Sequence, residues 1–364
     1  MPQVSVVTPS YREAKNIPVL FDRLTTTLIN FDWELIVVDD DSPDGTAEVA
    51  RKIAQSDKRM RIVQRLGRRG LSGAVIEGML ASSAPILAVI DADLQHDEKI
   101  LPEMIKKFET DPKTELVIGS RYVAGGGVGE FKSDRAAYSK FATRLGNMVT
   151  KTHVADPMSG FFAIKRETFM QVAHKLSNEG FKILFDILAS SRRPLVVAEI
   201  PYEFGERVHG ESKLDTAVAW QYVELLLDKL IGRFVPVRMI KFGMVGLSGV
   251  VVSLGTVLIL FKVFGENFDL SQAIATFMGM TWNYFLNNIF TFKDRRLTGW
   301  GILGGLLSFY LVCSIGALAN VGAAAYFFHQ EHWAWGVASI SGILVGMVWN
   351  YAVSSRITWG QSRK

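Results

Sequence analysis

Ile86-Leu87-Ala88-Val89-Ile90-Asp91-Ala92-Asp93-Leu94-Gln95 is the stretch that decides how this chain folds. An apolar strand, residues 86–90, runs out into an acidic loop. Carboxylates placed there stand at the C-terminal edge of a sheet, where open α/β folds bind their ligands. Asp91 and Asp93 are two residues apart, so an extended turn can converge both on one hard divalent cation. Mg²⁺ and Mn²⁺ favour oxygen ligands and take one or two carboxylates together with substrate phosphates. The segment therefore asks for a metal-bound diphosphate. A bare Asp-x-Asp also reads as a solvated turn, and the surrounding sequence decides between the two.

Upstream, Val4–Thr8 reads as a first strand closed by Pro9, with Ser10-Tyr11-Arg12-Glu13 as its exit loop. Ile17, Leu20, Leu24 and Leu28 then recur at helical spacing. Leu35–Val38 is a second buried strand, ending in Asp39-Asp40-Asp41-Ser42-Pro43-Asp44-Gly45-Thr46. One member of that polar run, Asp44 or Ser42, serves as N-cap for a helix starting near Thr46. The others suit a nucleoside, because carboxylates accept from base N–H groups and ribose hydroxyls. Alternation continues through Arg61–Gln64, Gly70–Ala81 and Leu116–Gly119, which predicts an α/β domain with a mainly parallel sheet. Gly67-Arg68-Arg69-Gly70-Leu71-Ser72-Gly73-Ala74 resembles a phosphate-cradling loop, but it lacks the Walker ending and the dinucleotide spacing. A plain glycine-rich helix entry is its competing reading.

The 364 residues allow two domains, and composition changes between them. Residues 1–235 mix charged and apolar segments; residues 239–357 are dominated by apolar runs. Four of these runs reach the length of about 20 residues needed to cross a bilayer: Met239–Phe261, Leu270–Phe290, Gly301–Phe327 and Trp333–Val353. Basic residues flank one side (Arg233, Arg238, Lys241; Lys293, Arg295, Arg296; Arg356, Arg363, Lys364), while the loops Gly265–Asp269 and His329–His332 have none. The positive-inside rule then places both termini, and the first domain with them, in the cytoplasm of a multi-pass membrane protein. Nothing at the start reads as a signal peptide, and the single cysteine, Cys313, excludes an intrachain disulfide. The net charge of +4 is modest, and no nucleic-acid partner is expected. Between Lys213 and Arg233, apolar residues at helical spacing mark amphipathic helix of the kind that lies at a bilayer interface. The expected organisation is a catalytic domain over 1–213, interface helices over 214–235 and an all-α membrane domain over 236–364. Trp282-Asn283-Tyr284 and Trp349-Asn350-Tyr351 recur with Thr291-Phe292 and Thr358-Trp359 at identical spacing, which suggests two related helical hairpins. Asn283, Asn287, Asn288 and Asn350 lie near membrane depth, where polar groups need partners or a cavity.

Pro9-x-Tyr11-x-Glu13, Val38-Asp39-Asp40-Asp41, Asp91-Ala92-Asp93-Leu94-Gln95-His96 and Gly119-Ser120-Arg121-Tyr122 occur in that order. Together they resemble the inverting glycosyltransferases of family 2 with the GT-A fold, and more narrowly the dolichol- or polyprenol-phosphate mannose synthases. The likeness covers about residues 3–230. The membrane half is similar to GtrA-like four-helix domains through Phe242-Gly243-Met244-Val245-Gly246 and the Trp-Asn-Tyr segments.

The resemblance implies residue roles. Pro9, Tyr11, Glu13, Val38, Asp39 and Asp41 would hold the guanosine end of GDP-mannose. Asp91, Ala92, Asp93 and Gln95 would receive its diphosphate, with Mg²⁺ or Mn²⁺ held by Asp91, Asp93 and Gln95. Arg121, Arg135 and Ser139 would grip the phosphate of a dolichyl or polyprenyl acceptor; positions 135 and 139 share one face of a helix. Arg207, His209 and Lys213 would close over the diphosphate. Asp93, Arg121, Arg135 and Arg207 form the expected catalytic set. Asp156 is the carboxylate that related enzymes often use as a base, or else a turn cap. A phosphate monoester is already ionised near neutral pH, however, so no strong base is required. A UDP-sugar donor (glucose or an N-acetylhexosamine) is the rival within enzymes. A lipid-linked sugar flippase with a degenerate first domain is the rival outside them. The hairpins could also pack against a second copy.

Overall fold

A strand buried on both faces needs helices above and below it, and both layers are present. The computed structural model describes residues 1–127, 150–177, 182–205, 235–331 and 333–360, and divides into two compact units, Met1–Leu230 and Ile231–Lys364. The first contains β1 (Val4–Ser10), α1 (Asn16–Thr27), β2 (Trp33–Asp39), α2 (Thr46–Ser56), β3 (Met60–Gln64), α3 (Leu71–Ala81), β4 (Ile86–Val89) and α4 (Leu101–Thr110). It continues with β5 (Leu116–Ser120), β6 (Phe162–Lys165), α5 (Arg166–Val172), α6 (Ile183–Ser190) and β7 (Val197–Pro201). The strands form one sheet in the order β3-β2-β1-β4-β6-β5-β7. All pairings are parallel except those of β6, which runs antiparallel to β4 and β5.

Alternation along the strands builds both cores. Val4, Val6, Leu35 and Val37 pack with Ile17, Leu20 and Leu24 of α1 and with Met104 and Ile105 of α4. Val7, Ile36, Val38 and Val89 face the other way, onto Val75 and Met79 of α3 and Leu184 and Ile187 of α6. The first strand is longer than expected. Pro9 does not close it: Pro9 pairs with Val38, and Ser10 pairs with Asp39. A residue without an N–H is tolerated near a strand end, where the Ser10 carbonyl still accepts from the Asp40 N–H (3.0 Å).

Among its described residues the second unit has four long helices where four spans were expected: α7 (Val237–Val257), α8 (Phe268–Leu286), α9 (Gly301–His329) and α10 (Trp335–Ile357). Wider-wound turns extend α7 to Val263 and α8 to Thr291. Two of these helical stretches, Val237–Val263 (27 residues) and Gly301–His329 (29 residues), are long and apolar enough to cross a membrane.

The repeated Trp-Asn-Tyr segments have a structural counterpart. One sequence shift carries Trp282 to Trp349, and the same shift carries Phe242 to Phe309, Tyr284 to Tyr351 and Phe292 to Trp359. Tyr284 meets Phe309 at 5.8 Å, and Phe242 meets Tyr351 at the same 5.8 Å. Phe292 stacks on its own counterpart Trp359 at 4.2 Å, and Phe242 touches its counterpart Phe309 at 6.4 Å. Contacts that exchange under the shift are those of two hairpins related by an approximate two-fold axis. Within each hairpin an asparagine presses onto a glycine of the neighbouring helix, Asn283 on Gly249 and Asn350 on Gly316. The other amides find partners: Asn288 bonds Leu297 twice (2.8 and 3.1 Å) and Trp359 (3.0 Å), and Asn287 bonds Thr291 (2.6 Å).

Candidate active site

Parallel strands aim their exit loops to one edge, so β1, β2 and β4 deliver Tyr11, Asp39 and Asp91 side by side. Among the described residues only three non-glycines have positive φ: Arg12 (64°), Asp41 (56°) and Leu94 (63°). Each sits in one of those three loops. Left-handed backbone is costly for such residues and concentrates where function holds it in place.

The β4 loop is the metal candidate. Asp93 Oδ1 accepts from the Gln95 N–H (3.2 Å), which curls the loop. Gln95 Nε2 donates to the Gly205 carbonyl (3.1 Å), and Gly205 N–H donates to the Gln95 carbonyl (2.8 Å). The carboxamide oxygen of Gln95 is thereby the atom left to offer a cation. The Asp91 N–H donates to His96 Nδ1 (3.3 Å), leaving the imidazole proton on Nε2. His96 is buried against Phe161, Tyr202 and Phe204 (ring centroids 5.3, 5.8 and 5.5 Å). Burial lowers its pKa to about 4, so the ring is neutral at ordinary pH. Gly160 backs the same loop: a methyl group there would stand 2.8 Å from Asp91 Oδ2 and 3.3 Å from His96 Cε1. Two carboxylates and one amide oxygen form an all-oxygen set, with no cluster of three His, Cys, Asp or Glu among the described residues. Such a set suits Mg²⁺ or Mn²⁺ completed by substrate phosphates and water, and does not suit zinc.

The β1 and β2 loops are stitched together at the nucleoside end. Ser42 donates to both oxygens of the buried Asp39 (3.0 and 2.5 Å) and accepts from the Arg12 N–H (3.0 Å). Glu13 N–H donates to Thr46 Oγ1 (3.0 Å), and Glu13 Oε2 accepts from Asn16 (2.6 Å). Neither Asp44 nor Ser42 is the N-cap of α2: Gly45 is, with no side-chain cap bond, and Asp44 braces the turn from one residue earlier, accepting from the N–H (3.2 Å) and hydroxyl (2.6 Å) of Thr46. It also accepts from the Ala14 N–H (3.2 Å). These bonds outweigh burial and keep its pKa low. Asp40 turns away and pairs with buried Arg65 (2.6 Å), so one of the acidic residues expected to read a nucleoside is structural. The side chains of Val38 and Ala92 are buried, which leaves their backbone as what they present. Asp41 is exposed and accepts from Gln64 (3.3 Å).

Arg121, at the exit of β5, is held in a fork. Its Nε and Nη2 donate to Asp156 Oδ2 (2.7 Å) and Oδ1 (2.9 Å), and its N–H also donates to Oδ2 (3.2 Å). Asp156 is fully buried, and its own N–H and that of Ala155 donate to Glu199 (3.2 and 2.8 Å). Burial alone would lower the Arg121 pKa, but the bond to Asp156 raises it, so the charge is permanent. In this geometry the Asp156 carboxylate holds Arg121 in place. The guanidinium also lies 5.5 Å from the Phe204 ring, so it shares an aromatic wall with the loop of Asp91. Lys182, at the start of α6, belongs to the same neighbourhood. Burial lowers its pKa, Arg121 adds to that, and Asp91 and Asp156 oppose it. Sequence reasoning missed Lys182, Glu199 and Tyr202, since none stands in a recognisable motif. Arg135, Ser139, Arg207, His209 and Lys213 lie outside the described residues, as do the expected interface helices.

The chain is similar to several known proteins. A family model described as glycosyl transferase family 2 matches residues 5–173, and one described as GtrA/DPMS, transmembrane domain, matches residues 241–359. The dolichol-phosphate mannosyltransferase of Pyrococcus furiosus is 35% identical over 98% of this chain and 99% of its own length. That of Saccharomyces cerevisiae is 32% identical over 66% of this chain and 91% of its own length. A solved glucosyl-3-phosphoglycerate synthase of Mycobacterium tuberculosis, in complex with Mn²⁺, UDP and its product, is 26% identical over 63% of this chain and 80% of that one, with a TM-score of 0.43. Matched from end to end by such a relative, and carrying both domains in order, this chain belongs to the dolichol-phosphate mannosyltransferases of glycosyltransferase family 2.

Proposed function

We propose that the protein transfers mannose from GDP-mannose to a dolichyl or polyprenyl phosphate, inverting the anomeric carbon and releasing GDP. The observation that carries this reading is the pairing of a cation-binding set and a fixed positive charge against one aromatic wall. Asp91, Asp93 and Gln95 stand on one side, and Arg121 locked by Asp156 on the other. The first set suits a metal-bound nucleoside diphosphate. The second presents a fixed positive charge to a phosphate.

A divalent cation, Mg²⁺ or Mn²⁺, held by Asp91, Asp93 and Gln95 would neutralise the developing charge of the departing diphosphate. The chain itself positions the rest. Tyr11, Glu13, Asp39 and Asp41 hold the nucleoside over β1 and β2, while Arg121, with Arg135 and Ser139, holds the acceptor phosphate. That phosphate is the nucleophile and is already largely ionised near neutral pH, so no proton need be removed. Its oxygen attacks the anomeric carbon as the bond to the diphosphate breaks, and an α-linked donor gives a β-linked lipid product. Burial of Asp156 against Arg121 agrees with a reaction that needs no carboxylate base. Catalysis is then positioning and charge screening between two anionic substrates. The four helices would span the bilayer with the catalytic unit and both termini on the cytoplasmic side, as the basic flanks suggest.

A donor panel tests the reading. Detergent-purified protein would receive polyprenyl phosphate, Mn²⁺ or Mg²⁺, and labelled GDP-mannose, UDP-glucose or UDP-N-acetylglucosamine in turn. Lipid-extractable label from GDP-mannose is the expected result. Label from a UDP-sugar alone would replace the donor, and none from any donor would overturn the assignment.

A further inference from the structure

The loop joining β3 to α3 is built with more care than a connection needs. Arg65 and Asp40, 5% and 6% exposed, form a buried ion pair (2.6 Å) beneath it. Asp40 Oδ2 then accepts from the Gly70 N–H (2.7 Å), and Arg65 Nη1 donates to the Gly70 carbonyl (3.1 Å), so both backbone groups of Gly70 are fixed. Gly70 has φ 142° and Gly67 φ 66°, conformations open to glycine and strained for other residues. Arg68 is drawn off to Glu77 (2.8 Å), which also receives Arg65 (3.3 Å). Arg69 is exposed and takes another course: its guanidinium lies over the Tyr11 ring, 4.6 Å from the centroid. A buried charge pair and two special glycines thus serve to hold one exposed arginine against the first aromatic residue of the site.

The sheet order says what Arg69 can meet. Reading β4, β1, β2, β3 across the edge gives the metal loop, Tyr11, Asp39 and then Arg69. The diphosphate belongs at the β4 end, so the β3 end is where the base of the nucleotide falls. A guanidinium is planar and stacks on bases as well as on tyrosine. We propose that Arg69 is a nucleobase-binding residue of the donor site, its guanidinium plane braced by Tyr11 and stacked on the base. This rests on the reading of the site as a nucleotide-sugar site.

The test is titration of GDP, with Mn²⁺ present, into full-length detergent-purified wild type, Arg69→Ala and Arg69→Lys, with steady-state kinetics alongside. Stacking on a base is worth roughly a ten- to hundred-fold change in affinity on truncation to alanine. Arg69→Ala should weaken GDP and raise the KM for donor by about that factor. The KM for polyprenyl phosphate and kcat at saturating donor should stay within two-fold, roughly the limit for a residue that touches only the base. Arg69→Lys, which keeps the charge and loses the plane, should recover little. Unchanged GDP affinity in Arg69→Ala, or full recovery in Arg69→Lys, would overturn the proposal and leave the proposed function standing. Failure of the wild type itself to bind GDP would remove the nucleotide-sugar reading as well.

Discussion

Arg121 and Asp156 form a buried two-point ion pair, Nε to Oδ2 at 2.7 Å and Nη2 to Oδ1 at 2.9 Å, with a third bond from the Arg121 backbone. A carboxylate so engaged spends three of its acceptor sites on one arginine in a fully buried position, and its partner has no freedom to swing. Asp156→Asn keeps the size and removes the charge. The guanidinium should then lose its fixed plane, and kcat/KM should fall by about 100-fold, the scale expected for a misplaced binding group. The loss should fall mainly on the KM for polyprenyl phosphate. A fall in kcat alone, with acceptor KM unchanged, would assign Asp156 to proton transfer instead.

Asp93 is one of two carboxylates on the metal loop, and little can replace it. Chelation with EDTA should abolish transfer by the wild type, and Mn²⁺ or Mg²⁺ should restore it. Asp93→Ala should remain inactive at every metal concentration while its thermal unfolding changes little, because the residue is part of a surface loop. Activity of Asp93→Ala in excess metal would remove this residue from the metal site.

Gly160 tests the packing behind that loop. The added methyl of Gly160→Ala would enter van der Waals overlap with Asp91 Oδ2 at 2.8 Å. Outer-shell changes of this kind cost about 10- to 100-fold in metal affinity. Titration of Mn²⁺ in the presence of GDP should show the loss; an unchanged midpoint would mean that Asp91 does not depend on this contact.

In the membrane unit, equivalent contacts should have equivalent strength. Gly249→Ala and Gly316→Ala each drive a methyl into the asparagine of the adjoining helix, Asn283 or Asn350. Each should destabilise by about 1–3 kcal/mol, the usual cost of overpacking. Adding Asn283→Ala to Gly249→Ala should restore part of the loss, as residues in contact do not contribute independently. Thermal unfolding in detergent measures both. Strongly unequal losses for the two glycines would contradict the approximate two-fold relation.

Much of this was legible in the sequence because period and punctuation carry it. The strand of residues 86–90, its acidic exit and the recurring Trp-Asn-Tyr segments each predict an element from local pattern alone. The antiparallel course of β6 was not legible, since a four-residue strand carries no mark of its direction. Nor was the division of labour among Asp39, Asp40, Asp41 and Asp44. One run of aspartates supplies a loop brace, a buried ion pair, an exposed carboxylate and a brace for the turn before α2. Which does which depends on Ser42, Arg65 and Thr46 arriving from elsewhere in the fold. The pairing of Asp156 with Arg121 was hidden for the same reason: the two are distant in sequence and meet only in the fold.

Stereochemistry at the transferred sugar tests the central claim most directly, because it reports one displacement by a lipid phosphate at this site. The lipid product made from GDP-mannose would be isolated and its anomeric configuration read by proton and phosphorus NMR. A β-mannosyl phosphate is the predicted product, from a single in-line attack. An α-mannosyl phosphate, or mannose linked to anything other than the lipid phosphate, would contradict it.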